Sequence, residues 1–262
     1  MEFRDSKQIK KAKELAAGPL GVHLSRIPLL FAKAVILGER PSRKGSSRIS
    51  TGTITFLNLG KKPIAITCAH VLSKYRRMLE ENPNVIFQVG DLAFDPLAQL
   101  IAVDPHLDLA SIELTREQVN TITADGKIGS CVLEPPYWPS PILKPGDFVA
   151  FGGFPGSLRK RPAHDEVVFG SWSSGAASVT TVHENGFSCQ FEREYWVCAF
   201  GARHQMELKD LGGMSGGPAF IHRGLHCDLV GIIREFSPSF DILFFTSTRV
   251  IQTDGTFCGE NV

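Results

Sequence analysis

Along most of the chain, apolar and polar residues alternate in short runs punctuated by Gly, Pro, Asn and Asp, a spacing that predicts strands. In the first half the runs fall at Ile27–Gly38, Ile49–Leu59, Pro63–Thr67, Asn84–Val89, Leu100–Val103 and Leu109–Leu114. In the second they fall at Asp147–Phe151, Glu166–Trp172, Ala177–His183, Phe187–Phe191, Tyr195–Phe200, Pro218–His222, Leu229–Ile233 and Ile242–Thr248. Residues 5–17 differ: good helix formers with Ile9, Ala12, Leu15 and Ala16 at helical spacing, stopped by Gly18-Pro19. The Pro135–Pro141 cluster cannot supply ladder donors and reads as a linker between two β units of similar size. The expected fold is therefore all-β, sandwich or barrel, with an N-terminal helix in residues 1–20, one unit in 21–140 and a second in 141–262.

Composition narrows the class. Lys+Arg 28 against Asp+Glu 27 in 262 residues gives +1, so no whole-chain field recruits nucleic acid or anionic lipid. A hydrophobic share of 43% with 21% charged residues excludes a disordered or fibrous chain. The stretch Ile27–Leu37 is too short to span a bilayer and is interrupted by Lys33, so no membrane association is expected. Charges recurring from Glu2 to Glu14 leave no room for the apolar core of a secretory signal, which predicts a cytoplasmic protein. The 6 cysteines are widely scattered and read as reduced thiols packed as small hydrophobes. Arg40–Arg48 reads as an exposed loop, and Arg159-Lys160-Arg161-Pro162 as a solvated one.

Three segments carry candidate chemistry. In Gly212-Gly213-Met214-Ser215-Gly216-Gly217-Pro218 the glycines free the backbone for unusual turns. Such a turn either aims consecutive N–H groups at a developing oxyanion or simply precedes the next strand. His70 follows the apolar run Ile64–Thr67, where an imidazole can accept and return a proton near neutrality or sit as a satisfied core residue. Asp108 opens the run Leu109–Ile112, where it either pairs with a histidine N–H or serves as a turn residue. His222, His226 and Cys227 flank a hairpin rather than a helix face and read as surface residues, so no metal site is expected.

The order His, Asp, Gly-x-Ser-Gly-Gly-Pro resembles that of trypsin-like (chymotrypsin-fold) serine peptidases. Thr67-Cys68-Ala69-His70, Asp108-Leu109-Ala110, Ser50-Thr51-Gly52-Thr53 and Gly146-Asp147-Phe148-Val149 with Phe151-Gly152-Gly153-Phe154-Pro155 are similar to further elements of its prokaryotic members. The resemblance spans about residues 27–250 and implies two antiparallel β-barrels packed side by side with the active site in the cleft between them. It also implies the roles. Ser215 is the nucleophile, His70 the general base and then acid, Asp108 the group that orients the imidazole. The N–H groups of Gly213 and Ser215 form the oxyanion hole. An acyl-enzyme forms without metal or organic cofactor. Substrates would be proteins or peptides, extended along a strand edge at Val230–Phe236. Lys209 or Asp210 would sit near the floor of the specificity pocket, with Arg234 and Phe236 beside the substrate.

Two positions depart from the family. Met214 replaces an Asp that pairs with a newly cut N-terminus, so activation by N-terminal insertion is not expected. Arg234 replaces a Ser near the catalytic acid, and its guanidinium either pairs with Asp108 or faces outward. These departures support an alternative reading, a catalytically silent member acting as a protein-binding scaffold. No appended binding module is expected after the second unit, so control is expected from a regulatory protein partner or from very narrow sequence selectivity.

Overall fold

The computed structural model of the chain describes residues 14, 18–39, 49–124, 126, 129, 131–163, 166–190, 199–200, 211–223 and 226–258. The expected helix over 5–17, apart from Glu14, lies outside them, as do the basic segment 40–48 and residues 191–198 of two expected strands.

The first unit is one antiparallel sheet of seven strands, ordered β5-β4-β1-β2-β3-β7-β6 and curled into a half-barrel. Its strands are β1 (Ala32–Glu39), β2 (Ile49–Asn58), β3 (Pro63–Thr67), β4 (Val85–Val89), β5 (Leu92–Phe94), β6 (Leu100–Asp104) and β7 (Leu109–Glu113). The second unit comprises β8 (Phe148–Gly153), β11 (Ser171–His183), β12 (Gly186–Gln190), β13 (Ala199–Phe200), β14 (Pro218–Arg223), β15 (His226–Ser237) and β16 (Ile242–Ser247). Their order is β12-β16-β15-β14-β8-β11-β13, and a further pairing of β12 with β11 closes a barrel. β9 (Arg159–Ala163) and β10 (Glu166–Phe169) form a separate hairpin, so the basic tetrapeptide expected in a loop is strand. The chain is thus all-β with two barrel-like units and few helices, as the sequence pattern and the resemblance imply.

The helices correct the expectation in three places. α1 (Pro19–Leu30) starts with proline in its first turn, where the fixed φ suits a helix and the missing N–H is no loss. It extends through residues expected in a strand because Ser25, Pro28 and Leu29 are buried on the second unit. Leu29 lies so close over Gly152 that a Cβ there would meet its Cδ2 at 2.9 Å. Packing on one helical face outweighs local strand propensity. α2 (Ala69–Glu81) buries Val71, Leu72 and Tyr75, and places His70 in a first helical turn rather than at a strand end. α3 (Arg116–Thr123) begins with a capping box in which Thr115 and Gln118 satisfy each other's backbone N–H.

Each unit has its own apolar core, one around Phe56 and Phe87, the other around Phe151, Trp172 and Phe245. A third cluster joins them: Leu57, Ile64, Ile66 and Leu109 from the first pack with Phe220, Leu229 and Ile232 from the second. No described helix is long and apolar enough to cross a membrane. The five described cysteines, all but Cys198, form no disulfide.

Candidate active site

Where the two units meet, a cavity of about 520 Å³ is lined by His70, Asp108, Ser215, Arg234, Glu235 and Phe236, among others. Each of the first three is delivered by a different local device.

β3 ends at Thr67, whose buried hydroxyl donates to the Thr53 carbonyl at 2.8 Å, and α2 begins two residues later. The first N–H groups of a helix lack intrahelical acceptors. That of His70 is satisfied by Asp108, donating to Oδ1 at 2.9 Å. His70 Nδ1 lies 2.8 Å from the other oxygen, Oδ2. A carboxylate only accepts, so Nδ1 donates, and in the neutral ring Nε2 is the nitrogen with the lone pair. The His70 side chain is 53% exposed against 13% for Asp108, so the pair has a sheltered acid and an open base.

Asp108 ends a tight turn with φ of 52°, a left-handed conformation that Asp tolerates better than most residues. The turn is held by Asp104 Oδ1, which accepts from the N–H groups of His106 (2.8 Å) and Leu107 (3.0 Å). From the other unit, Thr246 Oγ1 donates to the Leu107 carbonyl at 2.7 Å. Both sequence readings of Asp108, histidine partner and turn residue, describe the same conformation.

Ser215 lies on the glycine loop between Leu211 and β14. Gly213 and Gly216 have φ of 100° and 95°, and a side chain at Gly216 would collide with the Thr53 carbonyl oxygen. The loop is laced to β2 of the other unit. Thr53 N donates to the Ser215 carbonyl at 2.9 Å, Thr53 Oγ1 to that of Gly213 at 2.7 Å, and Thr55 Oγ1 to that of Gly216 at 2.7 Å. Met214 is fully buried in the second core, so an apolar anchor stands where an ion pair would otherwise be sought. The N–H groups of Met214, Gly216 and Gly217 are taken by the carbonyls of Leu211, Ile233 and Met214. Among the described residues, those of Gly213 and Ser215 have no protein acceptor.

Ser215 Oγ donates to the Arg234 carbonyl at 3.2 Å, and among the described residues no hydrogen bond joins it to His70. That carbonyl is available because Arg234 sits at a bulge, where the register of β15 against β16 shifts between Ile233 and Glu235. The strand edge expected over Val230–Phe236 is narrower than that. Ile232 pairs with Pro218 of β14, and Ile233 exchanges hydrogen bonds with Gly216 and Gly217, leaving the edge unpaired by β14 from Arg234 onward. The Arg234 side chain is exposed and makes no ion pair with Asp108 among the described residues. Phe236 packs half-buried against the second core. Lys209 and Asp210 lie outside the described residues.

Sequence reasoning missed Cys68. Its Sγ, a His70 ring nitrogen and an Asp108 carboxylate oxygen lie within 4.8 Å of one another, the one group of this kind among the described residues. Burial, then the Asp108 charge, push the Cys68 thiol well above its ordinary pKa. Near neutral pH it is therefore a neutral thiol. Elsewhere His222 Nδ1 is 2.9 Å from Cys227 Sγ across the β14–β15 pair, whereas His226 is exposed. His222 and Cys227 are thus half-buried partners rather than surface residues, and burial lowers the His222 pKa.

No family model matches the chain, and no curated protein does. Among solved structures it is similar to the Rv3671c protease from M. tuberculosis in its active form, at 14% identity and TM-score 0.45, covering 88% of this chain and 82% of that one. It is also similar to the thermostable serine protease AL20 from an extremophilic microorganism, at 12% identity and TM-score 0.45, covering 84% and 92%. A third, the scabies mite inactivated protease paralogue S-I1, is 14% identical at TM-score 0.42, covering 86% and 91%. Likeness at this level assigns neither activity nor site residues to this chain.

Proposed function

We propose that the protein is a serine endopeptidase that cleaves peptide bonds through Ser215, His70 and Asp108. The observation that carries the reading is the two-point engagement of His70 by Asp108, in the same cavity as a serine on a glycine-rich loop. The pair fixes the tautomer with Nε2 free to take a proton, the requirement for activating a hydroxyl.

In this reading the Ser215 hydroxyl leaves the Arg234 carbonyl, turns toward His70 Nε2, gives up its proton and attacks the scissile carbonyl. The negative charge on the carbonyl oxygen is received by the N–H groups of Gly213 and Ser215, each such donor contributing about 3–4 kcal/mol to lowering the barrier. His70 then protonates the leaving amine, and water cleaves the acyl-enzyme by the reverse sequence. Asp108, sheltered and doubly bonded to His70, stabilises the imidazolium throughout. A substrate backbone laid along the open edge at Arg234–Phe236 would supply an N–H to the carbonyl that Ser215 occupies, releasing the hydroxyl at the moment it is needed.

A second reading, a silent scaffold of the same fold, is favoured by one observation: the Ser215 hydroxyl is bonded to Arg234 rather than to His70. Hydroxyl rotors in unliganded sites commonly adopt such positions and realign with substrate, which leaves the enzymatic reading ahead. Digestion of a diverse peptide library by the purified protein separates the two. Cleavage at defined bonds, lost in both Ser215→Ala and His70→Ala, supports the peptidase; cleavage persisting in Ser215→Ala, or none with any peptide, contradicts it.

A further inference from the structure

Resting on the peptidase reading above, we propose that Cys68 is a positioning residue, a clamp that holds the acid–base pair of the first unit in register with the nucleophile loop of the second. Cys68 lies between Thr67, the last residue of β3, and α2, two residues before His70. It is fully buried, and its Sγ donates across the junction to the carbonyl of Ile233 on β15 at 3.1 Å. The same carbonyl accepts the N–H of Gly216, next to Ser215, at 2.9 Å. One oxygen therefore ties a first-unit side chain and the nucleophile loop to a single point. On its other side the sulfur lies within 4.8 Å of the His70 and Asp108 polar atoms.

Asp108 accepts two hydrogen bonds from His70, and the Cys68 thiol is a further donor within its reach. The buried sulfur lies beside the carboxylate, and by staying a neutral thiol it adds no second negative charge there. Its hydrogen has two acceptors within reach of rotation about the Cβ–Sγ bond, Ile233 O and the carboxylate. An alanine would drop the link to Ile233 and open a void under the pair. The seat of His70 against Ser215 would then loosen, and small misplacements of reacting groups carry large rate penalties.

The test compares Cys68→Ala and Cys68→Ser with the parent protein and with Cys189→Ala, a fully buried thiol in the second core outside the site. Peptide turnover is followed from about pH 5 to pH 10, and the downfield Nδ1–H proton resonance of His70 is recorded by NMR. Cys68→Ala is expected to lower kcat about tenfold, with KM within about twofold, and to move the ascending limb of the pH profile. Cys68→Ser, which keeps a donor, restores kcat to within about threefold of the parent. Cys189→Ala loses stability and leaves the limb in place. In Cys68→Ala the His70 resonance shifts or broadens, and in Cys68→Ser it is retained. An unchanged kcat, limb and resonance in Cys68→Ala, or a Cys68→Ser protein as impaired as Cys68→Ala, overturns the proposal. If the parent turns over no peptide, the peptidase reading fails on its own, and the resonance alone decides whether Cys68 positions His70.

Discussion

At the scale of single residues, Met214 separates two ways of anchoring the glycine loop that carries Ser215. An acid at this position would need a cation; a buried thioether needs only the second core, where it packs fully enclosed with Phe151, Ala219 and Ile233 as members of the same cluster. Met214→Ala is expected to destabilise the protein by about 2–5 kcal/mol, the range for truncating a buried methionine, read as a lowered urea midpoint. A loss under about 1 kcal/mol would mean that the loop is anchored by its hydrogen bonds alone. Ser215, His70 and Asp108 were legible in the sequence because glycine flanks, an apolar run before the histidine and an acid before another run are local patterns. Cys68 was not legible as part of the site. Its partner Ile233 is 165 residues away, and a lone cysteine in an apolar context reads as filler.

At the scale of elements, β2 is more than a wall of the first unit. Its threonines alternate with period two, so Thr53 and Thr55 face the glycine loop together and bond the carbonyls of Gly213 and Gly216. Thr53 Oγ1 also accepts the Phe154 N–H at 3.1 Å, bridging two segments of the second unit. Thr53→Val keeps the shape, removes both bonds and strands a buried N–H and a carbonyl. It is expected to cost about 1–3 kcal/mol and to slow reaction of Ser215 with an acylating probe several-fold. Probe reactivity equal to the parent would show that β2 does not shape the loop. The strands were legible from alternation. The helices α1 and α2 were less so. The Ala69–Glu81 segment is mostly polar, with its buried residues on one face, and the apolar α1 residues read as strand until the second unit offers a surface to cover. The bulge at Arg234 leaves no sequence signal, since any residue can occupy it.

For the whole molecule, the site depends on two units held together by a shared apolar seam and by hydrogen bonds that cross it. The alkaline limit of that assembly follows from its buried thiols. Burial pushes Cys189 above the ordinary thiol value of 9.0, and burial with the Asp108 charge does the same to Cys68. In the unfolded chain both ionise near that ordinary value, whereas in the folded protein both stay protonated. Above about pH 9 the unfolded state thus binds fewer protons, so stability falls as pH rises, by about 1.4 kcal/mol per pH unit for each thiol. Thermal unfolding from pH 7.5 to 10.5 is expected to show Tm declining more steeply above pH 9 for the parent than for Cys189→Ala. Parallel curves would contradict this. The all-β, two-barrel character was legible from the strand runs and the resemblance, but the seam was not, because its members are spread from Leu57 to Ile251 and no local pattern pairs them.

A hydroxyl made nucleophilic by His70 and Asp108 reacts with phosphorus electrophiles, and Ser215 is expected to do so. Intact-mass measurement after treatment with a fluorophosphonate, followed by peptide mapping of the adduct, tests it most directly. One phosphonyl group per chain is expected, carried on Ser215, absent in Ser215→Ala and much slower to form in His70→Ala. An unmodified parent protein, or an adduct formed equally fast without His70, would contradict it.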